Sequence, residues 1–294
     1  MKKFSKLALG FLISIACLVQ SDAVAASATG KEAEGKSSHE LLQNQQLHLA
    51  VAYELPEGQR KLFGEMTEFL NKELGFVSPN NNPHVTVMHV RISQNVTQEE
   101  AVKHLKAVIE GLPVPTPWTI ALDNSYVTST GDAPYRWFDL NQKAKPEVAM
   151  QFNAKVAEAL KGFKYRDGAL ERCSEPAVFN KMNPDGQAQV KNYGASGLNA
   201  LGADGTLKMN HNPHFTLHYA PSLAAREIDA KKLEAVTKNF GEKFGARLPS
   251  VTFTNLIIGR LGYNGNIEEV LARIPLRASS ASTATVQFST TPAK

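Results

Sequence analysis

Cysteine is nearly absent from this chain, with 2 in 294 residues, Cys17 and Cys173. Two thiols cannot build a disulfide framework, so the fold must rest on a hydrophobic core. An excess of one charge is missing too. The 32 Lys+Arg are almost matched by 28 Asp+Glu, for a formal net charge of +4. That is too little for a broad phosphate-backbone surface, which argues against long nucleic acid but leaves small anionic ligands open. Long apolar runs are also scarce. The longest, residues 7–19, falls short of the about 20 residues that cross a bilayer. What is present is globular: hydrophobic residues make up 43% and charged residues 20%. The length fits one large domain or two modest ones.

The apolar run follows Lys2-Lys3 and ends near Ala23-Val24-Ala25. A basic start, a short apolar stretch and a small-x-small site make a secretory signal peptide over residues 1–25, cleaved after Ala25. An uncleaved anchor is the alternative reading, and Cys17 after Ser14-Ile15-Ala16 is a weak match to a lipidation site. Cleavage removes Lys2, Lys3, Lys6 and Asp22, which lowers the net charge by two and leaves Cys173 as a lone thiol, expected to be buried. The expected destination is periplasmic or secreted, with no membrane contact after cleavage. Residues 26–46 read as a flexible leader and residues 278–294, rich in Ser, Thr and Ala, as a tail. The remaining 47–277 form the expected domain.

Within it, apolar spacing predicts helices over 57–74, 97–111, 147–160 and 227–244. Thr97 with Glu100 forms a capping box. Strands are predicted over 47–53, 84–92, 118–127, 135–140, 214–220, 250–261 and 267–276. Each half of the chain thus runs strand, helix, strand, strand.

The echo is sharpest at Pro83-His84-Val85-Thr86-Val87 and Pro213-His214-Phe215-Thr216-Leu217, spaced by 130 residues. Each copy follows an Asn-rich loop and opens a strand. Strict alternation puts His84, Thr86 and Met88 on one face and Val85, Val87 and His89 on the other. In the second copy it groups His214, Thr216 and His218 against Phe215, Leu217 and Tyr219. Two such strands side by side bring two imidazoles and two hydroxyls around one cleft. One imidazole can take a proton while the other gives one, which is what breaking a phosphodiester requires. Thr hydroxyls can donate to the phosphoryl oxygens, so the chemistry calls for no metal and no cofactor.

These twin motifs resemble the two H-x-T-x signatures of the 2H phosphoesterase superfamily, which includes the so-called bacterial 2′-5′ RNA ligase and cyclic nucleotide phosphodiesterases. The strand over 47–53, followed by Pro56 and a helix, resembles the family's opening element. The resemblance implies an α+β fold of two pseudo-twofold-related lobes, each an antiparallel sheet with helices, with the active-site cleft between them. It implies a phosphodiesterase acting on 2′,3′-cyclic or 2′-linked nucleotide diesters. His84 and His214 become the acid–base pair and Thr86 and Thr216 the phosphate-binding hydroxyls. The expected partner is a nucleotide or short oligonucleotide, and the expected state is a monomer.

The stretch 163–212 shows little periodicity and reads as an insertion. It is either a lid, with Lys181, Lys191, Tyr193 and Lys208 as nucleotide contacts, or a surface excursion. His218, on the motif face, is a candidate substrate contact. A metal site on His211, His214 and His218 is disfavoured, because residues i and i+4 on a strand lie about 13 Å apart. His89, His104 and the aromatics Tyr135, Trp137 and Phe138 read as structural, with base stacking as the alternative for the aromatics. Two other functions stay open: a non-catalytic nucleotide-binding module, and a His-rich metal-binding exported protein.

Overall fold

The computed structural model describes residues 48–78, 82–92, 96–128, 137–161, 180, 182–219, 228–261 and 266–277. The expected signal peptide, leader and tail, Cys173, Tyr135 and Lys181 lie outside the described residues. Among the described residues, no helix is long and apolar enough to cross a membrane.

Local signals set the element ends. Helix α1 (Glu57–Leu74) turns Phe63, Met66, Leu70 and Leu74 to the core and stops at Gly75, whose φ of 86° suits glycine. In α2 (Gln98–Gly111) the expected capping box forms: Thr97 Oγ1 accepts from the Glu100 N–H at 3.2 Å, and Glu100 Oε2 accepts from the Thr97 N–H at 3.0 Å. Helix α3 spans Glu147–Leu160. Helix α4 (Pro184–Tyr193) is capped by Asn183, whose side chain accepts from the Gly186 N–H at 2.7 Å. Helix α5 (Ala230–Phe244) begins later than the periodicity implied, because Asp229 accepts from the Lys232 N–H at 2.7 Å and fixes the start there.

The strands are β1 (His48–Glu54), β2 (His84–Arg91), β3 (Trp118–Thr128), β4 (Trp137–Gln142), β5 (Asn199–Leu201), β6 (Leu207–Met209), β7 (Phe215–Tyr219), β8 (Ser250–Phe253), β9 (Asn255–Leu261) and β10 (Ile267–Pro275). Eight of them make one sheet in the order β10-β9-β1-β2-β7-β4-β3-β8, and β5 and β6 form a separate hairpin. Every recorded pairing is antiparallel.

The order is symmetric about the β2–β7 seam. Lobe one is β10-β9-β1-β2 and lobe two is β7-β4-β3-β8, so β2 matches β7, β1 matches β4 and β9 matches β3. The lobes are not the two halves of the sequence. The late strand β9 pairs with early β1, and early β3 pairs with late β8. The run expected as one strand over 250–261 is two, broken at Thr254: β8 serves lobe two and β9 serves lobe one. Helices cross over as well. Helix α1 packs on β7 and α5, while α3 packs on β2.

The motif strands depart from strict alternation at one matched place. Val51 pairs with Met88 and Ala52 with Thr86, so Val87 is an extra residue, a β-bulge. Phe138 pairs with His218 and Asp139 with Thr216, so Leu217 is the extra residue in β7. The two bulges are spaced by 130 residues, like the motifs. Each leaves a carbonyl that a helix side chain satisfies. Asn153 Nδ2 on α3 donates to Val87 O at 2.5 Å, and Thr67 Oγ1 on α1 donates to Leu217 O at 3.1 Å.

Part of the expected insertion is folded, which its lack of apolar periodicity did not suggest. Helix α4 and the β5–β6 hairpin are held by buried amides, because short elements with few large side chains need polar anchors. Gln189 Nε2 donates to Leu198 O at 2.9 Å, and Asn153 Oδ1 accepts from the Asn199 N–H at 2.7 Å. Asn199 Oδ1 in turn accepts from the His211 N–H at 2.9 Å. Asn153 thus touches the bulge of one motif strand and, through Asn199, the approach to the other.

Candidate active site

One face of the sheet meets the helices and carries Val85, Val87, Phe215 and Leu217. His84, Thr86, His214 and Thr216 alternate with these residues and take the other face. The single recorded bridge across the seam is Val85 with Phe215. These are matched positions of the two motifs, so the pseudo-twofold axis passes between them. One residue further on each side, His84 faces Thr216 and Thr86 faces His214. The two imidazoles are therefore diagonal neighbours, a relation that separates Cα atoms by about 7–8 Å. The expected four residues are brought together on one face.

Both rings are fixed in the same way. His84 Nδ1 lies 2.8 Å from Asn82 O, and His214 Nδ1 lies 2.7 Å from Asn212 O. A carbonyl can only accept, so each Nδ1 carries the proton and each Nε2 is left for chemistry. Asn82 and Asn212 are anchored in turn. Asn82 Nδ2 donates to Ile267 O at 2.9 Å, and Gln142 Nε2 donates to Asn212 Oδ1 at 3.0 Å. The Asn two residues before each His is a repeat the sequence carries and the shorter motif leaves out.

His84 is buried, and burial pushes its imidazole down to about 4, with the Asn82 carbonyl opposing and the nearby His214 adding. A neutral His84 at pH 7 can accept a proton. His211 is also buried and is pushed down to about 3 by burial, with His214 and Lys145 adding. Lys145 Nζ donates to His211 O at 2.9 Å.

Around this constellation the bulges reverse the expected faces. Met88 joins the core, while His89 pairs with Ala50 on the motif face. His218 is not a substrate contact. It is fully buried and paired with the core residue Phe138, its ring centroid is 5.0 Å from that of Phe76, and its Nε2 lies 3.3 Å from Phe76 O. Burial pushes it down to about 4. Its place beside Thr216 is taken by Tyr219, whose hydroxyl bonds to the Thr216 side chain. Phe138 packs on Phe240 at 4.9 Å, which makes it a core residue. Of the expected lid contacts, Tyr193 is buried with its hydroxyl 3.3 Å from Glu158 Oε2. Lys208 is held by Asp204 at 2.8 Å and Asp185 at 3.5 Å. Lys191 is exposed on α4.

Asp139 is the residue that sequence reasoning missed. It is 1% exposed, its Oδ1 accepts from Thr216 Oγ1 at 2.7 Å, and its Oδ2 lies 4.0 Å from His214 Nε2. The signal was a lone carboxylate in the run Trp137-Phe138-Asp139-Leu140, since a buried charge in a strand needs a partner. In lobe one, small side chains take the matching ground. Ala50 and Ala52 form a patch with Ile257 and Ile267, and a Cβ on Gly259 would meet Ile267 Cγ2 at 2.6 Å.

No family model matches the chain, and no curated protein does. Solved structures do. The chain is similar to a crystal structure described as a phosphoesterase, at 15% identity, with 80% of this chain and 100% of the other covered and a TM-score of 0.43. It is similar to TT0787 of Thermus thermophilus, at 15% identity, 79% and 99% coverage and a TM-score of 0.44. E. coli LigT complexed with 3′-AMP follows at 14% identity, 80% and 100% coverage and a TM-score of 0.41. Two H-x-T strands paired antiparallel at the centre of one sheet, a matching lobe on either side and the motif side chains on a shared face make the architecture of the 2H phosphoesterase superfamily, and this chain has it.

Proposed function

We propose that the chain is an exported phosphodiesterase that works without a metal and hydrolyses 2′,3′-cyclic nucleotides or 2′-linked oligonucleotide diesters. The observation that carries this reading is the pairing of His84 and His214 across the seam, each with Nδ1 engaged by the carbonyl two residues upstream. Two imidazoles with Nε2 left for chemistry can serve one phosphorus centre from two sides, one removing a proton from the attacking oxygen and one giving a proton to the leaving oxygen. A hydroxyl beside them can hold the developing charge on a phosphoryl oxygen. The modest net charge of +4 favours small ligands over long RNA. Export rests on the residues 1–25 pattern, and fractionation of cells making the full chain tests it.

Activity is tested with 2′,3′-cyclic nucleotides, 2′-5′ dinucleotides and 3′-5′ dinucleotides, with products identified for the wild type, His84→Ala and His214→Ala. The reading expects cleavage of a cyclic or 2′-linked substrate, unaffected by chelators and severely reduced in both variants. Binding of a cyclic nucleotide without turnover by the wild type would instead make the protein a binding module.

A further inference from the structure

The seam is symmetric in backbone and asymmetric in charge. Opposite Thr86 stands Ala52, and at the matched place opposite Thr216 stands Asp139. A carboxylate only accepts hydrogen bonds, so the single proton of Thr216 is committed to it at 2.7 Å. The Tyr219 hydroxyl bonds to Thr216 as well, and with that proton spent the tyrosine is the donor. This side of the seam therefore offers acceptors and a negative charge. The other side differs. Thr86 makes no side-chain hydrogen bond among the described residues, and the carboxylate opposite His84 belongs to Glu54. That carboxylate is held by Arg273 through Nε at 3.0 Å and Nη2 at 2.8 Å.

An anionic phosphoryl oxygen is repelled by Asp139 and accepts readily from Thr86. We propose that Asp139 sets the direction in which a substrate lies across the seam, with the phosphoryl oxygens toward Thr86 and the departing sugar oxygen beside His214. The inference rests on the phosphodiesterase reading and deepens it. The step then balances as follows. Water oxygen attacks phosphorus and gives its proton to His84 Nε2. The bond from phosphorus to the sugar oxygen breaks, its electron pair stays on that oxygen, and the oxygen takes the proton of His214 Nε2. His84, neutral at pH 7 because burial holds it at about 4, suits the accepting role. The 4.0 Å between Asp139 Oδ2 and His214 Nε2 is too long for a hydrogen bond, so the His214 proton is not captured by the carboxylate. Asp139 is accordingly a positioning residue.

The test compares two leaving groups on one phosphodiester frame, a 2′,3′-cyclic nucleotide and a nucleoside 3′-(p-nitrophenyl) phosphate. The p-nitrophenolate needs no proton to depart. Asp139→Asn is expected to lower kcat on the cyclic nucleotide roughly tenfold, and His214→Ala about a hundredfold or more, with much smaller losses on the p-nitrophenyl ester. His84→Ala is expected to cripple both substrates alike. Equal losses on both substrates for Asp139→Asn and His214→Ala would overturn the assignment, as would selective sparing of the p-nitrophenyl ester in His84→Ala. Should Asp139→Asn fail to fold, Thr86→Val and Thr216→Val decide the same question. Thr86→Val must weaken KM or kcat for both substrates more than Thr216→Val does, and the reverse order overturns the proposal. A wild type that cleaves neither substrate refutes the underlying phosphodiesterase reading instead.

Discussion

The two motif strands make a comparison inside one molecule. Strands β2 and β7 share the H-x-T sequence, the upstream Asn carbonyl on Nδ1, the bulge one residue after the Thr and a helix side chain that satisfies the bulge carbonyl. They differ in what surrounds those features. Ala52 in one lobe is Asp139 in the other, and Met88 in one strand is His218 in the other. The shared features are those that aim an imidazole, and the unshared ones are those that set charge. A duplicated backbone thus supplies two equal tools, and single substitutions beside them make the tools unequal. The bulge is part of the aim, since it lets Val87 and Met88 both enter the core without turning His84 or Thr86 away from the open face.

The largest expected effect falls on what the strands share. His84→Ala and His214→Ala should each lower turnover by at least about a hundredfold, because general acid–base contributions are of that size. A loss confined to one of them would break the equivalence of the two copies. Next come the bulge anchors. Asn153→Leu leaves Val87 O and the Asn199 N–H without their partner in a buried setting and should cost about 2–3 kcal/mol in urea unfolding. Thr67→Val removes one half-buried hydrogen bond and should cost about 1 kcal/mol. Equal costs would mean that the bulges are held by something other than these side chains.

The third prediction concerns pH. His218 is held at about 4 in the folded chain, while an unfolded imidazole titrates near about 6.5. The stability contributed by the neutral ring is complete above pH about 6.5 and is lost as pH falls toward about 4, because the unfolded state takes up the proton first. His84 and His211 add in the same direction. Writing the β2 residue into β7 with His218→Met should remove up to about 1.4 kcal/mol per pH unit of that slope. An unchanged slope between pH 7 and pH 5 would show that His218 does not titrate on unfolding as described. The smallest effect belongs to the rim. Arg273 is 57% exposed on its side chain, so Arg273→Gln should cost about 1 kcal/mol or less despite its paired hydrogen bonds to Glu54. A loss of about 3 kcal/mol would mean that Glu54 is effectively buried.

Much of this was legible in the sequence, for reasons that can be named. The capping box at Thr97, the stop at Gly75 and the apolar faces of α1 and α3 are local, and local rules read them. The paired motifs were visible because a catalytic pair needs the same residues twice. What the sequence hid was set by pairing between distant strands. The bulges at Val87 and Leu217 exist only relative to β1 and β4, so strict alternation put His218 on the open face and His89 in the core. Lobe membership was hidden for the same reason, since nothing local marks Thr254 as the point where the chain leaves one lobe for the other. Asp139 was on view as a carboxylate among apolar neighbours, but its partners Thr216 and His214 lie over 70 residues away.

The most direct measurement of the central claim, that the two copies act as one acid–base unit, is a double-mutant cycle. Turnover of a 2′,3′-cyclic nucleotide is measured for the wild type, His84→Ala, His214→Ala and the double variant. Residues that act as a unit are strongly non-additive, so the double variant should be no more than about threefold slower than the worse single variant. Losses that multiply, giving a double variant slower than either single one by at least about a further hundredfold, would mean that the two histidines act independently and would contradict the account.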